Sequence, residues 1–300
     1  MSLVKFKIDQ LEEMRNYYYD KGYVIVSDLS SSDLIDEFLE EYEKFKKKSN
    51  YLINTQDTNR PEILKVNKEG FIENSIMDPL DIVFAGDFAK KVQKIIVNDR
   101  ISKIVSTLTN VEENVLWQSM FFDKSTGTVV HQDSYYLDSD PPGKLVGLWF
   151  ALEDIHEDAG CFYVVPESNK IGKVLFEGLD HESYVKNMLK FVEDNDLKKM
   201  PCLLNKGDVL FWNSMTLHGS FENVNPKLSR KSFTSHFIPA NEKRNKTKVP
   251  DVEASKIDGI LMRKKKRLKE RLRYGKMFYK YVVNTKLRNK LDMEMKSSKY

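Results

Sequence analysis

The stretch LWQSMFFDKSTGTVVHQD, residues 116–133, is where the pattern of the chain changes. Before it the apolar residues recur on a helical period. From Leu116 onward they fall into short alternating or continuous runs separated by turn residues. Leu116–Phe122 is aromatic and large, the kind of side chain that fits a pleated, half-buried surface, and Asp123 and Gly127 punctuate its end. Four more such runs follow: KLVGLWFALED (144–154), GCFYVVPES (160–168), GDVLFWNSM (207–215) and RKSFTSHFIPA (230–240). Short strands at this spacing predict a sandwich or barrel. One helical stretch, HESYVKNMLKFVEDN (181–195), interrupts the series and reads as an excursion over one end of the barrel, a candidate lid.

Working back toward the N-terminus, KIDQLEEMRNYYYDKG (7–22) predicts a helix with Asp9 as N-cap, Glu12 three residues on and Gly22 as its stop. YVIVSDL (23–29) predicts a strand. SSSDLIDEFLEEYEKFKKK (30–48) opens on cap serines and carries Leu34, Ile35, Phe38, Leu39 and Tyr42 at helical spacing. A further helical region is expected over residues 79–109, so the chain to about residue 112 reads as mainly helical.

With 300 residues, 41% hydrophobic and 11% aromatic, the chain can bury a sizeable core. Two cysteines, Cys161 and Cys202, supply neither a disulfide framework nor the paired spacing of a zinc site. The start lacks an apolar leader, and nowhere do about 18 apolar residues run together. A soluble, cytoplasmic protein is the expectation. The charge is unevenly placed: residues 255–300 hold 16 Lys or Arg against 4 Asp or Glu, and the rest holds 32 against 41. An acidic body thus carries a basic tail. From Ile257 the apolar residues Ile260, Leu261, Leu268, Leu272, Phe278, Tyr281 and Val282 recur at roughly helical intervals, predicting an amphipathic helix. Two readings of that tail stay open: a helix packed back on the acidic body, or a segment that meets an anionic surface or guides an anionic substrate.

The stretch that opens the β region also ends in His131 and Asp133, and the chain reaches His218 in TLHGS (216–220). On a strand or an extended turn, residues two apart point the same way, so His131 and Asp133 can share one ion while Gln132 faces away. A distant histidine would complete two imidazoles and one carboxylate with open positions, the ligand set of non-haem Fe(II) oxygenases. A structural zinc site would instead fill four protein positions. Spacing alone is equally compatible with two hydrogen-bonded core histidines beside an aspartate.

The surrounding text resembles the phytanoyl-CoA dioxygenase family of Fe(II)- and 2-oxoglutarate-dependent oxygenases. The resemblance is carried by YYYDKGYVIVSDLSSSDLIDEF (17–38), MFFDKSTGTVVHQD (120–133), LWFALEDIHEDAGCFYVVPES (148–168), and LHGS (217–220) followed by SRKSF (229–233). It implies a double-stranded β-helix of the jelly-roll, cupin-like kind over residues 113–240. Residues 1–112 would be its helical N-terminal part, the oxygenase domain would span 1–254, and 255–300 would be a basic helical extension. It implies Fe(II) on His131, Asp133 and His218, and 2-oxoglutarate held by Arg230, with Ser232, Trp149, Gln132, Met120 and Lys65 as further contacts. A guanidinium suits a carboxylate because it offers a planar, bidentate fork. Tyr135, Tyr136 and Tyr184 are candidates for a substrate wall.

Two features depart from the family. Pro166, Glu167, Ser168 and Asn169 stand where relatives have glycine, serine and histidine, and the tail lies beyond the resemblance. The carboxylate of Asp133 stands where related halogenases have a small residue that admits halide, so hydroxylation is the expected outcome. Desaturation, cyclisation and epimerisation are the alternatives within the fold, and a non-catalytic jelly-roll binding protein with a basic anchoring tail is the alternative outside it. The expected partners are a small-molecule or conjugated substrate and dioxygen, without nucleic acid. His156, His181 and His236 are expected at the surface or in packing, though His236 shares the parity of Arg230 and could reach the pocket.

Overall fold

The computed structural model describes residues 3–48, 51–56, 61–82, 85–172, 180–244, 247–248, 254–263, 275–276, 279 and 283. Its elements in chain order begin with β1 (Lys5–Phe6), α1 (Leu11–Lys21), β2 (Tyr23–Val26), α2 (Ser32–Lys47), β3 (Leu52–Thr55), β4 (Pro61–Ile63), β5 (Ile76–Met77), α3 (Gly86–Ile96) and α4 (Asp99–Thr109). The β region follows with β6 (Asn114–Phe122), α5 (Asp133–Tyr136), β7 (Ser139–Asp140), β8 (Val146–Ala151), β9 (Phe162–Val164), α6 (His181–Asp194), β10 (Met200–Pro201), β11 (Val209–Asn213), β12 (His218–Ser220) and β13 (Ser232–Pro239). The last elements are β14 (Lys243–Arg244), β15 (Thr247–Lys248), β16 (Ala254–Ile257) and β17 (Ile260–Arg263).

The large sheet runs β1-β2-β11-β8-β13-β6-β5-β3-β4, and a small one runs β10-β9-β12. An isolated antiparallel bridge, His131 to His218, extends the small sheet beyond β12. Successive segments therefore alternate between sheets: β6, then the His131 strand, β8, β9 and β10, β11, β12, β13. This is the jelly-roll winding, with β11-β8-β13-β6 facing β10-β9-β12 and the His131 segment.

Period-two alternation assigns the faces of the large sheet. On β13, Phe233 and Phe237 join the outer core with Phe121, Leu148, Phe150 and Phe211, and the helices α1–α4 close over that face. Phe38 of α2 packs 5.1 Å from Phe233, and Phe45 stacks 4.2 Å from Phe88 of α3. Trp149, Leu210 and Trp212 point the other way, into a second core with Phe162, Val164 and Cys202 between the sheets. Both cysteines are free and buried.

Several expectations are met and several corrected. Ser31 caps α2 by accepting from the Leu34 amide, and Gly22 ends α1 in the left-handed region at φ 80°. A Cβ on Gly22 would also lie 2.5 Å from Thr216 Oγ1. The N-cap of α1 is Gln10, not Asp9: Gln10 Oε1 turns back to the Lys7 amide, and the cap makes no side-chain bond into the helix. The helical region expected over 79–109 breaks into a 3₁₀ turn at Pro79–Asp81 and the two helices α3 and α4, because Asn98 accepts from the Ile101 amide and restarts the helix. Strands β3–β5 were not anticipated; they are short, and they extend the large sheet past β6 through Ile76–Phe121 and Met77–Met120 pairs. Helix α6 is a wall more than a lid: Tyr184, Met188 and Val192 pack on Tyr163, Val165 and Leu217 of the small-sheet side.

The tail does not start as a helix. Residues 254–263 form a hairpin, and β17 adds to β6 in parallel, with Ile260 opposite Asn114 and only 1% exposed. The expected domain boundary at 254/255 therefore falls inside β16. A register shift between His236 and Phe237 leaves Trp117 as an extra residue on β6. Its ring is flanked by the guanidinium carbons of Arg244 at 4.1 Å and Arg263 at 4.8 Å, so the hairpin and β14 dock on one indole. Leu268, Leu272, Phe278, Tyr281 and Val282 lie outside the described residues. The docking predicts that Ile260→Ala costs about 2–4 kcal/mol in urea unfolding, the scale of a buried aliphatic truncation. A substitution on an exposed tail helix would stay within about 0.5 kcal/mol.

Candidate metal centre

His131 and His218 exchange two backbone hydrogen bonds, each 3.0 Å from amide to carbonyl. This directly opposed pair places both imidazoles on one face, with centroids 4.3 Å apart. Gln132 is still extended, at φ −108°, ψ 136°, and the single-turn helix α5 begins only at Asp133. With Gln132 extended, the alternation of side chains turns the Asp133 carboxylate to the same side as the His131 ring. Its Oδ1 lies 3.6 Å from His131 Nε2 and 3.5 Å from His218 Nε2. The three donor atoms lie within 4.8 Å of one another.

Both rings are oriented from behind in the same way. His131 Nδ1 is 2.8 Å from the Val129 carbonyl and His218 Nδ1 is 2.9 Å from that of Thr216. A carbonyl only accepts, so each Nδ1 carries the proton and each Nε2 offers its lone pair to the centre. Burial, reinforced by His218 alongside, lowers the pKa of His131 and keeps that ring neutral. For Asp133, burial alone would favour the protonated acid. The neighbouring His218 and His236 outweigh it and hold the carboxyl well below the usual carboxylate range. Two imidazoles with Nε2 turned to the centre and one carboxylate, with no fourth His, Cys, Asp or Glu in the group among the described residues, fit a metal that keeps open coordination positions.

Cross-strand pairing lays out the rest of the interior in rows. Leu210, Trp149, Thr234 and Met120 are successive partners on β11, β8, β13 and β6. One row away, Ser232 pairs with Ala151 and Phe122. Arg230 precedes that row, 2% exposed, its amide bound to the Asp123 carbonyl. Its guanidinium lies 5.6 Å from the Phe122 ring and 5.7 Å from the Trp149 ring. It donates through Nη1 to the Gly160 carbonyl, and its Nε has no partner. No carboxylate pairs with it among the described residues, and burial pulls its pKa down to about 10. The Trp149 indole N–H, beside it, is likewise without a partner.

The remaining sequence-predicted residues divide. Gln132 faces away as expected, its amide donating to the carbonyls of Gly172 at 2.9 Å and Met215 at 2.6 Å. Met120 is buried in the Trp149 row. Lys65 is exposed just past the edge strand β4, and no contact among the described residues joins it to the cluster. Tyr135 stacks on Tyr184 at 3.5 Å, Tyr184 Oη accepts from the Gln132 amide, and Tyr136 packs 5.4 Å from His131 while bonding His181. All three tyrosines thus adjoin the ligand loop. Sequence reading passed over Trp212, whose indole N–H donates to Asp133 Oδ2 at 2.8 Å. Its parity with Leu210 in GDVLFWNSM was the available signal. His236, expected at the surface or in packing, is buried with Nε2 3.4 Å from the same oxygen.

Comparison with known proteins bears on the fold and the family. Residues 18–232 match the family described as phytanoyl-CoA dioxygenase (PhyH). Phytanoyl-CoA dioxygenase 1 of Oryza sativa subsp. japonica is 31% identical over 186 residues, covering 58% of each chain. The peroxisomal phytanoyl-CoA dioxygenase of Homo sapiens is 25% identical over 243 residues, 76% of this chain and 68% of that one. Among solved structures, the non-heme alpha ketoglutarate dependent carbocyclase SnoK superposes with a TM-score of 0.58 at 17% identity, covering 80% of this chain and 89% of that one. The epimerase SnoN, in complex with Fe3+, alpha ketoglutarate and nogalamycin RO, superposes with a TM-score of 0.57 at 16% identity, covering 86% and 97%. Among the described residues no helix is long and apolar enough to cross a membrane. With the family match spanning most of its length, the chain belongs to the phytanoyl-CoA dioxygenase family.

Proposed function

We propose that this protein is a non-haem Fe(II)- and 2-oxoglutarate-dependent oxygenase that hydroxylates an aliphatic carbon of a small-molecule or conjugated substrate. The observation that carries the proposal is the pairing, in one interior, of the His131–Asp133–His218 donor set with the buried guanidinium of Arg230, which has no carboxylate partner among the described residues. When bound, iron and 2-oxoglutarate supply, with dioxygen, an oxidant for an unactivated C–H bond as the cosubstrate loses carbon dioxide.

The chain's own residues supply placement and dryness. His131, Asp133 and His218 hold the metal. Arg230 binds the far carboxylate of 2-oxoglutarate, with Ser232 beside it and Trp149 and Met120 walling the cosubstrate. A charged fork in a dry site is worth more than in water because nothing competes for its hydrogen bonds. Gln132 braces the ligand loop, its side-chain nitrogen donating to two backbone carbonyls. Tyr135, Tyr136 and Tyr184 form the substrate wall. Tyr136, 38% exposed and against His131, marks the side on which substrate enters. Keeping water from the reacting carbon is the remaining task of this aromatic shell.

Hydroxylation is preferred because Asp133 places a carboxylate where a halide would otherwise sit. The fold itself does not select the outcome, and desaturation, ring closure or epimerisation would use the same residues on a differently held substrate. A binding module would have no need of three converging ligands whose rings are each locked by a carbonyl.

The metal assignment predicts that anaerobic Fe(II) with 2-oxoglutarate gives a weak visible charge-transfer band, which His131→Ala, Asp133→Ala and His218→Ala each weaken or abolish. Undiminished bands in all three variants would remove the site. Arg230→Ala is expected to weaken 2-oxoglutarate binding by about 1.5–3 kcal/mol, the scale of charged hydrogen bonds, with iron affinity nearly unchanged in calorimetry. Arg230→Lys should not restore it, because a point charge cannot reproduce the fork. A third expectation concerns pH. Metal binds the neutral imidazole, and burial lowers the His131 pKa. Mn(II) affinity should therefore be flat from neutral pH upward and fall only with acidification below about 6.5, the ordinary histidine value. Affinity that rose on acidification would contradict the ligand set.

A further inference from the structure

The two oxygens of Asp133 have different neighbours. Oδ1 faces His131 and His218. Oδ2 accepts from Trp212 Nε1 at 2.8 Å and lies 3.4 Å from His236 Nε2. Trp212 is 1% exposed, His236 3% and Asp133 3%, so this contact is made out of reach of water.

The sheet brings these two side chains together at a position without one of its own. Trp212 of β11 and His236 of β13 are both register partners of Gly147 on the strand between them, β8. A Cβ on Gly147 would lie 2.2 Å from Trp212 Cε2 and 2.6 Å from Nε1. The indole occupies that notch and meets the His236 ring edge-on at 6.1 Å and 90°. Glycine in the middle of a buried strand forgoes packing and backbone stiffness, and its usual reason is a close approach of this kind. Trp212 also packs 4.9 Å from the His218 ring, so one side chain touches two of the three donors.

Resting on the oxygenase reading, we infer that Trp212 and His236, admitted by Gly147, are positioning residues that hold Asp133 as a one-oxygen ligand. The indole N–H is a donor only and cannot itself bind a metal. With its hydrogen bond on Oδ2, and His236 adjoining, the carboxylate is fixed with Oδ1 forward and is kept from turning to chelate through both oxygens. A carboxylate that chelated would take one of the open positions that cosubstrate and dioxygen require.

The test uses the full-length apoprotein, with Mn(II) alone titrated by calorimetry and Co(II) alone followed by its visible spectrum. Trp212→Phe keeps an aromatic core residue and removes the donor, and Gly147→Ala displaces the indole. Each is expected to weaken Mn(II) binding by about 10- to 100-fold, the usual effect of losing an outer hydrogen bond to a metal ligand, and to shift the Co(II) bands. Phe211→Leu, on the opposite face of β11, controls for core damage and should lower thermal stability while leaving metal affinity and the Co(II) spectrum unchanged. His236→Gln, which keeps a polar group beside Oδ2, should bind Mn(II) more tightly than His236→Leu, and equal affinities would remove His236 from the positioning role. Wild-type affinity and spectrum in Trp212→Phe, or equal losses in Phe211→Leu, would overturn the inference. Asp133→Ala separates the two levels: if it binds Mn(II) like wild type, the metal site itself falls, whereas its loss of Mn(II) beside an unaffected Trp212→Phe defeats only the positioning role.

Discussion

The reciprocal backbone hydrogen bonds between His131 and His218 are the interaction on which the rest of the site depends. They form the bridge that attaches the His131 segment to β12, with one more backbone bond from the Ser220 amide to the Thr128 carbonyl. One pairing thus completes the sheet and sets the spacing of two imidazoles. A one-residue slip would turn either ring to the opposite face, since the side-chain period of a strand is two. Ring orientation is then finished locally, each Nδ1 reaching a carbonyl two residues upstream. Metal-binding geometry here follows from backbone pairing before any ion is considered.

The same alternation makes β13 a strand with two unrelated duties. Phe233 and Phe237 anchor the helical layer, whereas Ser232, Thr234 and His236 face the interior behind Arg230. The aromatic side packs against Phe38 and Phe121, so the strand is held firmly from the back. Rigidity supplied by one face is what lets the other present polar groups at fixed positions. The N-terminal helices, distant from the cluster in sequence, matter to the chemistry through this strand.

Legibility followed the range of the forces involved. The core strands, a serine cap before α2, Gly22 as a stop and the helix at 181–194 were readable because each is decided by residues a few positions apart. Asp9 failed as a cap because Gln10, one residue later, bonds the Lys7 amide instead. The hairpin at 254–263 was misread as helix because Ile260 and Leu261 fit either period, and what decides between them is the free edge of β6, about 140 residues away in the chain. Strands β3–β5 were missed for the same reason, being two to four residues long and defined by their neighbours. At the site, His131, Asp133 and His218 were legible through the resemblance and only weakly through spacing. Trp212 was not, because its importance lies in a contact across the notch at Gly147 that no local pattern reports.

The polar accounting of the interior bears on stability as well as chemistry. Arg230 is a charge in a dry setting with an unpartnered Nε, and the Trp149 indole N–H beside it is also unpartnered. An isolated buried charge is costly, and its usual remedy is a paired counter-charge. The described residues offer a carbonyl, Gly160, and two aromatic faces in its place. The packing of the two cores on either side of the large sheet offsets that cost, which is why the position tolerates what a less supported one would not. A carboxylate ligand that reached Arg230 would satisfy the deficit and bind only the folded chain, so occupancy of the site and stability of the fold are thermodynamically linked. The features that make Arg230 costly to bury are the ones that a carboxylate of matching shape would satisfy.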